Sequence, residues 1–322
     1  MTSPLITVVM TAYNAAEFIS ETLDSIRSQS FRDFEILVVD DGSTDGTAAI
    51  VREYTDVRYF HQANAGCAAG RNTGIRNALG SYVAFVDADD LWAPDKLEKQ
   101  VACLGSRPEA ALVYSDAFAF DSNSRAIFGR VGDRKLFDGD ILRPLLLSSF
   151  IPSATPVVRK SVFSDVGLFD ESDDRRLVED WDMWLRIAAK YPVAVIKEPL
   201  ALIRIHGGNI SRTTDPGVAY RNKRSIMEAV MSGNRERLHD LRPRALANFA
   251  AAAGTAYIRF NSPAAARGMF FEAIRQLPLD VSTYGYLAMT YFPTSFAYSL
   301  RGLRRRLHSR GVLPRGRTWI VI

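Results

Sequence analysis

"LITVVMTAYNAAEFISETLDSIRSQSFRDFEILVV" (5–39) sets the fold class. It opens with a short apolar run (5–10), the length of a strand covered on both faces. Between 15 and 29, Phe18, Ile19, Leu23 and Ile26 recur at helical spacing. "FEILVV" (34–39) is a second buried strand. Two apolar strands joined by an amphipathic helix imply a parallel pair with a right-handed crossover.

The alternation continues. Residues 44–54 read as a helix with Ser43 or Thr44 as its cap, 57–62 as a strand, 68–79 as a helix and 81–86 as a fourth strand. The expectation is an α/β fold, a mostly parallel sheet flanked by helices. Residues 111–120 read as a further strand and 121–140 as a loop or hairpin. In 176–191, Leu177, Trp181, Trp184, Leu185 and Ala188 fit one helical face. From about Pro216 only helical patterns remain, so a first domain over 1–215 and a helical region over 216–322 are expected. Residues 245–277 have the texture of one helical repeat, without the second copy an array needs.

Composition narrows the function classes. The formal charge of 40 − 36 = +4 over 322 residues is too small to imply nucleic acid by itself. Two cysteines, Cys67 and Cys103, form neither a disulfide framework nor a metal spacing. No basic, apolar leader and no run of ~20 apolar residues is evident. These features point to the cytoplasm. The acid-free stretch 301–317 carries seven arginines beside aromatics, a composition suited to peripheral contact with the inner, anionic membrane face.

Parallel sheets bind ligands beyond the carboxyl ends of their strands. Four segments fall there: "TAYN" (11–14), "DDGSTDGT" (40–47), "NAGCAAGRN" (64–72) and "DADD" (87–90). Residues i and i+2 at a strand end point the same way, so Asp87 and Asp89 can face the crevice together. A divalent cation shared with ligand phosphates would relieve their repulsion. Asp90 reads either as a further ligand or as the start of the helix in "APDKLEKQ", and Asp40 as a local structural acid. The chain lacks G-x-G-x-x-G after its first strand, G-K-[ST], G-x-S-x-G and any zinc-type histidine pattern.

Taken together, "ITVVMTAYNAAEFISETLDSIRSQSFRDFEILVVDDGSTDGT", "NAGCAAGRNTGI", "GSYVAFVDADDLWAPDKLEKQ", "GLFDE", "VEDWDMWLRIA" and "RIHGGNIS" resemble glycosyltransferase family 2 over residues 4–212. The resemblance implies a GT-A-type fold and an inverting enzyme that uses a nucleoside-diphosphate sugar and Mn²⁺ or Mg²⁺. By the same resemblance, Thr11, Ala12 and Tyr13 line the base pocket and Asp41 accepts a hydrogen bond from the base. Arg71 lies near base or diphosphate, and Asp87 contacts the ribose. Asp89 binds the metal, with His206 and Asp90 as further candidates. Asp180 is the general base, and Trp92, Glu179 and Trp181 are acceptor-site candidates.

The chemistry is coherent. Inversion needs one base on the acceptor hydroxyl, while cation charge stabilises the leaving diphosphate. The expected reaction is transfer from a UDP-linked donor to a hydroxyl of a glycan or lipid-linked acceptor, in cell-surface polysaccharide assembly. The competing expectations are an inactive nucleotide-sugar-binding scaffold and a nucleotidyltransferase. A nucleotidyltransferase would normally carry a glycine-rich basic loop where "TAYNAAEF" stands.

Overall fold

A computed structural model describes residues 3–131 and 135–292. The arginine-rich stretch 301–317 lies outside them. The chain divides into two compact units, one of Met1–Leu145 with Ser149–Thr213, the other of Leu146–Ser148 with the chain from Thr214 onward.

The first unit contains the strands β1 (Ile6–Ala12), β2 (Phe34–Asp40), β3 (Val57–His61), β4 (Tyr82–Asp87), β5 (Leu91–Trp92), β6 (Leu112–Asp121), β7 (Ile127–Arg130), β8 (Val157–Arg159) and β9 (Val193–Ile205). Its longer helices are α1 (Ile19–Arg27), α2 (Thr47–Arg52), α3 (Cys67–Asn77) and α4 (Lys96–Ser106). After them come α5 (Leu142–Leu147), whose last two residues are assigned to the second unit, then α6 (Val162–Val166), α7 (Glu179–Lys190) and α8 (Ile210–Thr213).

The strands form one sheet in the order β3-β2-β1-β4-β8-β6-β9-β5, with β7 paired to β6. β3, β2, β1 and β4 are mutually parallel, as the alternation predicts. The other half is mixed: β8 runs antiparallel to both β4 and β6, whereas β6 and β9 are parallel. The outcome is a mixed sheet with flanking helices. Residues 121–140 contain the β7 return of a hairpin.

Ile6, Val8 and Met10 of β1 pack with Ile19, Leu23 and Ile26 of α1 in the main apolar core. On α3, a Cβ at Gly74 would stand 2.2 Å from Val9 Cγ1, so only glycine lets this helix approach β1 so closely.

Two helices are shorter than their patterns suggest, for a local reason. The Ala15 amide donates to Thr47 Oγ1 and the Ala16 amide to Asp45 Oδ2, so these residues brace α2 and α1 begins only at Ile19. Asp45 also accepts the Thr47 amide, which makes it, rather than Ser43 or Thr44, the acid that stops the start of α2 from fraying. Leu177 does not share the α7 face. It has φ +72° and precedes a helix that starts at Glu179.

The second unit is helical, with α9 (Pro216–Gly233), α10 (Arg235–Leu238), α11 (Arg242–Arg259), α12 (Pro263–Gln276) and α13 (Val281–Met289). Asp215 caps α9 by accepting the Gly217 amide, and Pro216 occupies the first turn, where no amide is needed. A Cβ at Gly254 would lie 2.7 Å from Phe270, which fixes the close approach of α11 and α12. Among the described residues, no helix is long and apolar enough to cross a membrane.

Candidate active site

The crevice opens where the strand order reverses. β1 is flanked by β2 on one side and β4 on the other, the arrangement that leaves a gap above the carboxyl ends of parallel strands. Thr11 is in register with Val39 and Asp87, so the end of β1 reaches both walls. Thr11 and Ala12 are buried, and Tyr13 is exposed at the rim.

Asp40 does local work. Burial opposes its charge, but the Ser43 amide and the Tyr59 hydroxyl bond to it and hold its pKa below the ordinary value. Asp41 is buried and accepts three hydrogen bonds, from Gln62 Nε2 (2.7 Å), the Ala65 amide (3.0 Å) and the Gly66 amide (2.7 Å). A carboxylate offers about four acceptor directions. Asp41 therefore orders the 62–66 loop and has one direction left for a ligand. Gly42 must be glycine: its φ is +82°, and a Cβ would sit 2.9 Å from the Asn64 amide nitrogen.

The centre of the site is Arg71, 5% exposed on α3. Its Nη2 lies 3.0 Å from Asp87 Oδ1 and its Nη1 2.8 Å from Glu179 Oε1. Burial disfavours its charge, yet the two carboxylates raise its pKa on balance. Phe169 lies under the guanidinium at 5.5 Å. Asp87 is held on its other oxygen by Ser153 Oγ at 2.7 Å. The neighbouring Asn72 donates to the Phe169 carbonyl and to Glu171, and accepts the Phe169 amide. One turn of α3 thus fastens β4 to the "GLFDE" and "VEDWD" segments.

Asp180 stands in the first turn of α7, half-buried beside Glu179. Burial and the Glu179 charge push its pKa up to about 6, against a smaller pull from Arg71. A carboxylate poised near neutrality is suited to accept a proton at physiological pH. Asp182 faces elsewhere and pairs with Arg186.

On the other wall, Asp89 Oδ2 lies 2.9 Å from His206 Nε2 and 3.3 Å from Asn209 Nδ2. Burial and the nearby Asp87 raise the Asp89 pKa. The Gly208 amide approaches His206 Nδ1 at 3.2 Å, which leaves Nε2 as the ring nitrogen that faces Asp89. Arg204 is 2% exposed and organises this wall. Its amide donates to Asp90 Oδ1, its Nε to the Asp89 carbonyl and its Nη2 to Glu21, while Phe18 and Phe120 flank it at 4.9 and 4.7 Å.

An oxygen and an imidazole nitrogen side by side form a donor set suited to Mn²⁺. Among the described residues, no group of three acidic, histidine or cysteine side chains is arranged to hold a metal. Asp89 and His206 therefore fit an ion completed by ligand phosphates, as Mg²⁺ and Mn²⁺ sites at nucleotides usually are.

Three expectations need correction. Asp90 does not start the next helix, which begins at Lys96; its carboxyl is buried and receives the Arg204 amide. Trp92 and Trp181 do not present acceptor surfaces. They are 3% and 1% exposed, and their indoles donate to the Ala154 and Leu145 carbonyls. Sequence reasoning also passed over Ser153, Asn72, Arg204 and Asn209. For Arg204 and Asn209 a signal existed, because both lie in "RIHGGNIS".

Residues 7–167 match the description "Glycosyl transferase family 2". An uncharacterised glycosyltransferase of Rickettsia typhi is 32% identical over 238 residues, covering 72% of this chain and 71% of that protein. The structure is similar to Staphylococcus aureus TarS in complex with UDP-GlcNAc (TM-score 0.57, 18% identity, 88% of this chain and 90% of that one). It is also similar to the mannosyltransferase PcManGT of Pyrobaculum calidifontis in complex with GDP-Man and Mn²⁺ (TM-score 0.57, 22% identity, 94% and 88%).

Proposed function

Because the chain belongs to glycosyltransferase family 2, we propose that it is a metal-dependent inverting enzyme that transfers a sugar from a UDP-linked donor to a hydroxyl of a glycan or lipid-linked acceptor. The single observation that carries this reading is Asp180: a carboxylate raised to about 6, one residue from the Arg71–Glu179 pair that ties it to the donor-side Asp87. The donor class is supported by the fold shared with a protein solved with UDP-GlcNAc, and metal use by the fold shared with one solved with Mn²⁺. The acceptor class, and a place in cell-surface polysaccharide assembly, follow the motif resemblance.

In this reading Thr11, Ala12, Tyr13 and Asp41 receive the base and Asp87 the ribose, with residues 1–215 as the catalytic domain. Asp89 and His206 would hold the cation, which supplies positive charge to the departing diphosphate. Asp90 positions Asp89 rather than binding the ion, since it anchors to β9. Asp180 accepts the acceptor hydroxyl's proton as that oxygen attacks the anomeric carbon, and the C–O bond to the diphosphate breaks on the opposite face. Arg71 holds Glu179 and Asp87 in place, so its charge is not free for the diphosphate.

We place the enzyme in the cytoplasm at the membrane face. Leu279, Val281, Tyr291 and Phe292 are exposed in the last described residues, upstream of the arginine-rich stretch. Exposed apolar and aromatic groups followed by cationic ones suit an anionic bilayer. The test of the whole reading is release of UDP from UDP-sugars by the purified chain with Mn²⁺. No release from any nucleotide sugar, with or without acceptor, sinks it.

A further inference from the structure

At the opposite end of β4 from the crevice lies a cavity of about 600 Å³. Its lining includes Arg159 and Lys160 at the end of β8, together with Ser81, Ser161 and Ser164. Tyr82 begins β4 and Asp87 ends it, so at ~3.3 Å per residue the cavity and the crevice are roughly 17 Å apart along the strand. Nothing in the transfer reaction uses these groups.

The electrostatics are one-sided. Neither Arg159 nor Lys160 forms an ion pair with a carboxylate among the described residues. Arg159 is spent on neutral acceptors: its Nε donates to the Ala110 carbonyl, its Nη2 to the Leu104 and Arg107 carbonyls, and its Nη1 to the Tyr82 hydroxyl. The carbonyls fix the guanidinium in place but do not cancel its charge. Lys160 Nζ donates to the Ala78 carbonyl at 2.5 Å and has two more N–H groups to offer. Ser161 and Ser164 are exposed, and so is Ser81. With no carboxylate in the lining, two adjacent positive charges and three hydroxyls make a concave anion trap; Glu109, an acid that feels the Arg159 charge, is exposed and lies outside the lining.

The type of anion follows from donor geometry. A carboxylate is best met by a guanidinium fork, and the Arg159 fork is turned to backbone carbonyls. What remains is a point charge on Lys160 plus separate hydroxyl donors, a set matched to the tetrahedral oxygens of phosphate. Phe163 adds an apolar wall, so the bearer of the group has a non-polar or sugar-ring face. We propose that this cavity is a second site, distinct from the donor crevice, which binds a phosphate group carried by a small organic molecule or by a polymer backbone.

The test uses the full chain and inorganic phosphate, titrated by isothermal calorimetry at low salt without nucleotide or added metal, with the Lys160 variants separating this site from the crevice. Saturable binding is expected, weakened at least tenfold in Lys160→Gln and restored in Lys160→Arg, with the melting temperature recorded for each variant. Glycerol phosphate and dimethyl phosphate separate the two sources: preference for the monoester indicates a small phosphorylated molecule, and preference for the diester a polymer. Binding that Lys160→Gln leaves unchanged, or no binding of any of the three probes, overturns the proposal.

Discussion

Replacing Asp180 with asparagine should make the protein slower and sturdier at once. The carboxyl is raised from 3.8 to about 6 by burial and by Glu179. Each pKa unit is worth about 1.4 kcal/mol, so two units set an upper bound of ~3 kcal/mol on the cost of holding the charge at pH 7.5. Because the side chain is half-buried and solvent screens it, a gain of about 1–2 kcal/mol is the realistic figure. The sign follows from linkage. The folded pKa lies above the unfolded one, so the penalty is full above pH 6 and fades as pH falls toward 4. Asparagine keeps an oxygen for the Trp181 amide, which now donates to Asp180 Oδ1. Urea unfolding at pH 7.5 and 4.5 should show the gain at the first pH and little at the second. Transfer should fall by ~10²–10⁴ with donor affinity retained, and the wild-type rate should rise with pH through about 6. Equal transfer by the variant would remove Asp180 from the base role. An unchanged stability difference between the two pH values would refute the electrostatic account.

Three further outcomes are expected. Arg71→Ala leaves the carboxylates of Asp87 and Glu179 without their shared cation and should cost ~3–5 kcal/mol in denaturant unfolding; a loss under 1 kcal/mol would show the clasp to be incidental. Asp89→Ala should abolish the Mn²⁺ dependence of UDP binding while leaving the melting temperature nearly unchanged, read by calorimetry with and without metal. Gly74→Ala forces a methyl into Val9 and should destabilise by ~1–3 kcal/mol, with partial recovery in the Gly74→Ala, Val9→Ala double variant.

The parallel half of the sheet was legible because each of its strands is a compact apolar run followed by turn residues. β8 and β9 were not. β8 spans three residues, too few for any period. β9 contains Lys197, Glu198 and Pro199, and its pairing with β6 shifts register around Asp116, which breaks the alternation that marks a strand. In the site, the acids declared themselves through crowding, since Asp87, Asp89 and Asp90 in four positions need an explanation. Their partners did not. Ser153 and Arg204 reach Asp87 and Asp90 across 66 and 114 residues, and local spacing carries no trace of such bonds. The tryptophans misled for a related reason: large aromatic rings beside acids suit a sugar platform and a core equally well, and only their burial decides.

The bonds made by one turn of α3 bear on how such enzymes can diversify. Arg71 and Asn72 hold the segments around Phe169 and Glu179, so the part of the chain that would meet the acceptor in the proposed reaction is not a freely transplantable cassette. A chimera that imports residues 167–182 from a relative while keeping the host's helix would inherit mismatched fasteners, unless the relative carries the same Arg-Asn pair. New acceptor preferences should therefore arise more readily in stretches that these two side chains do not touch.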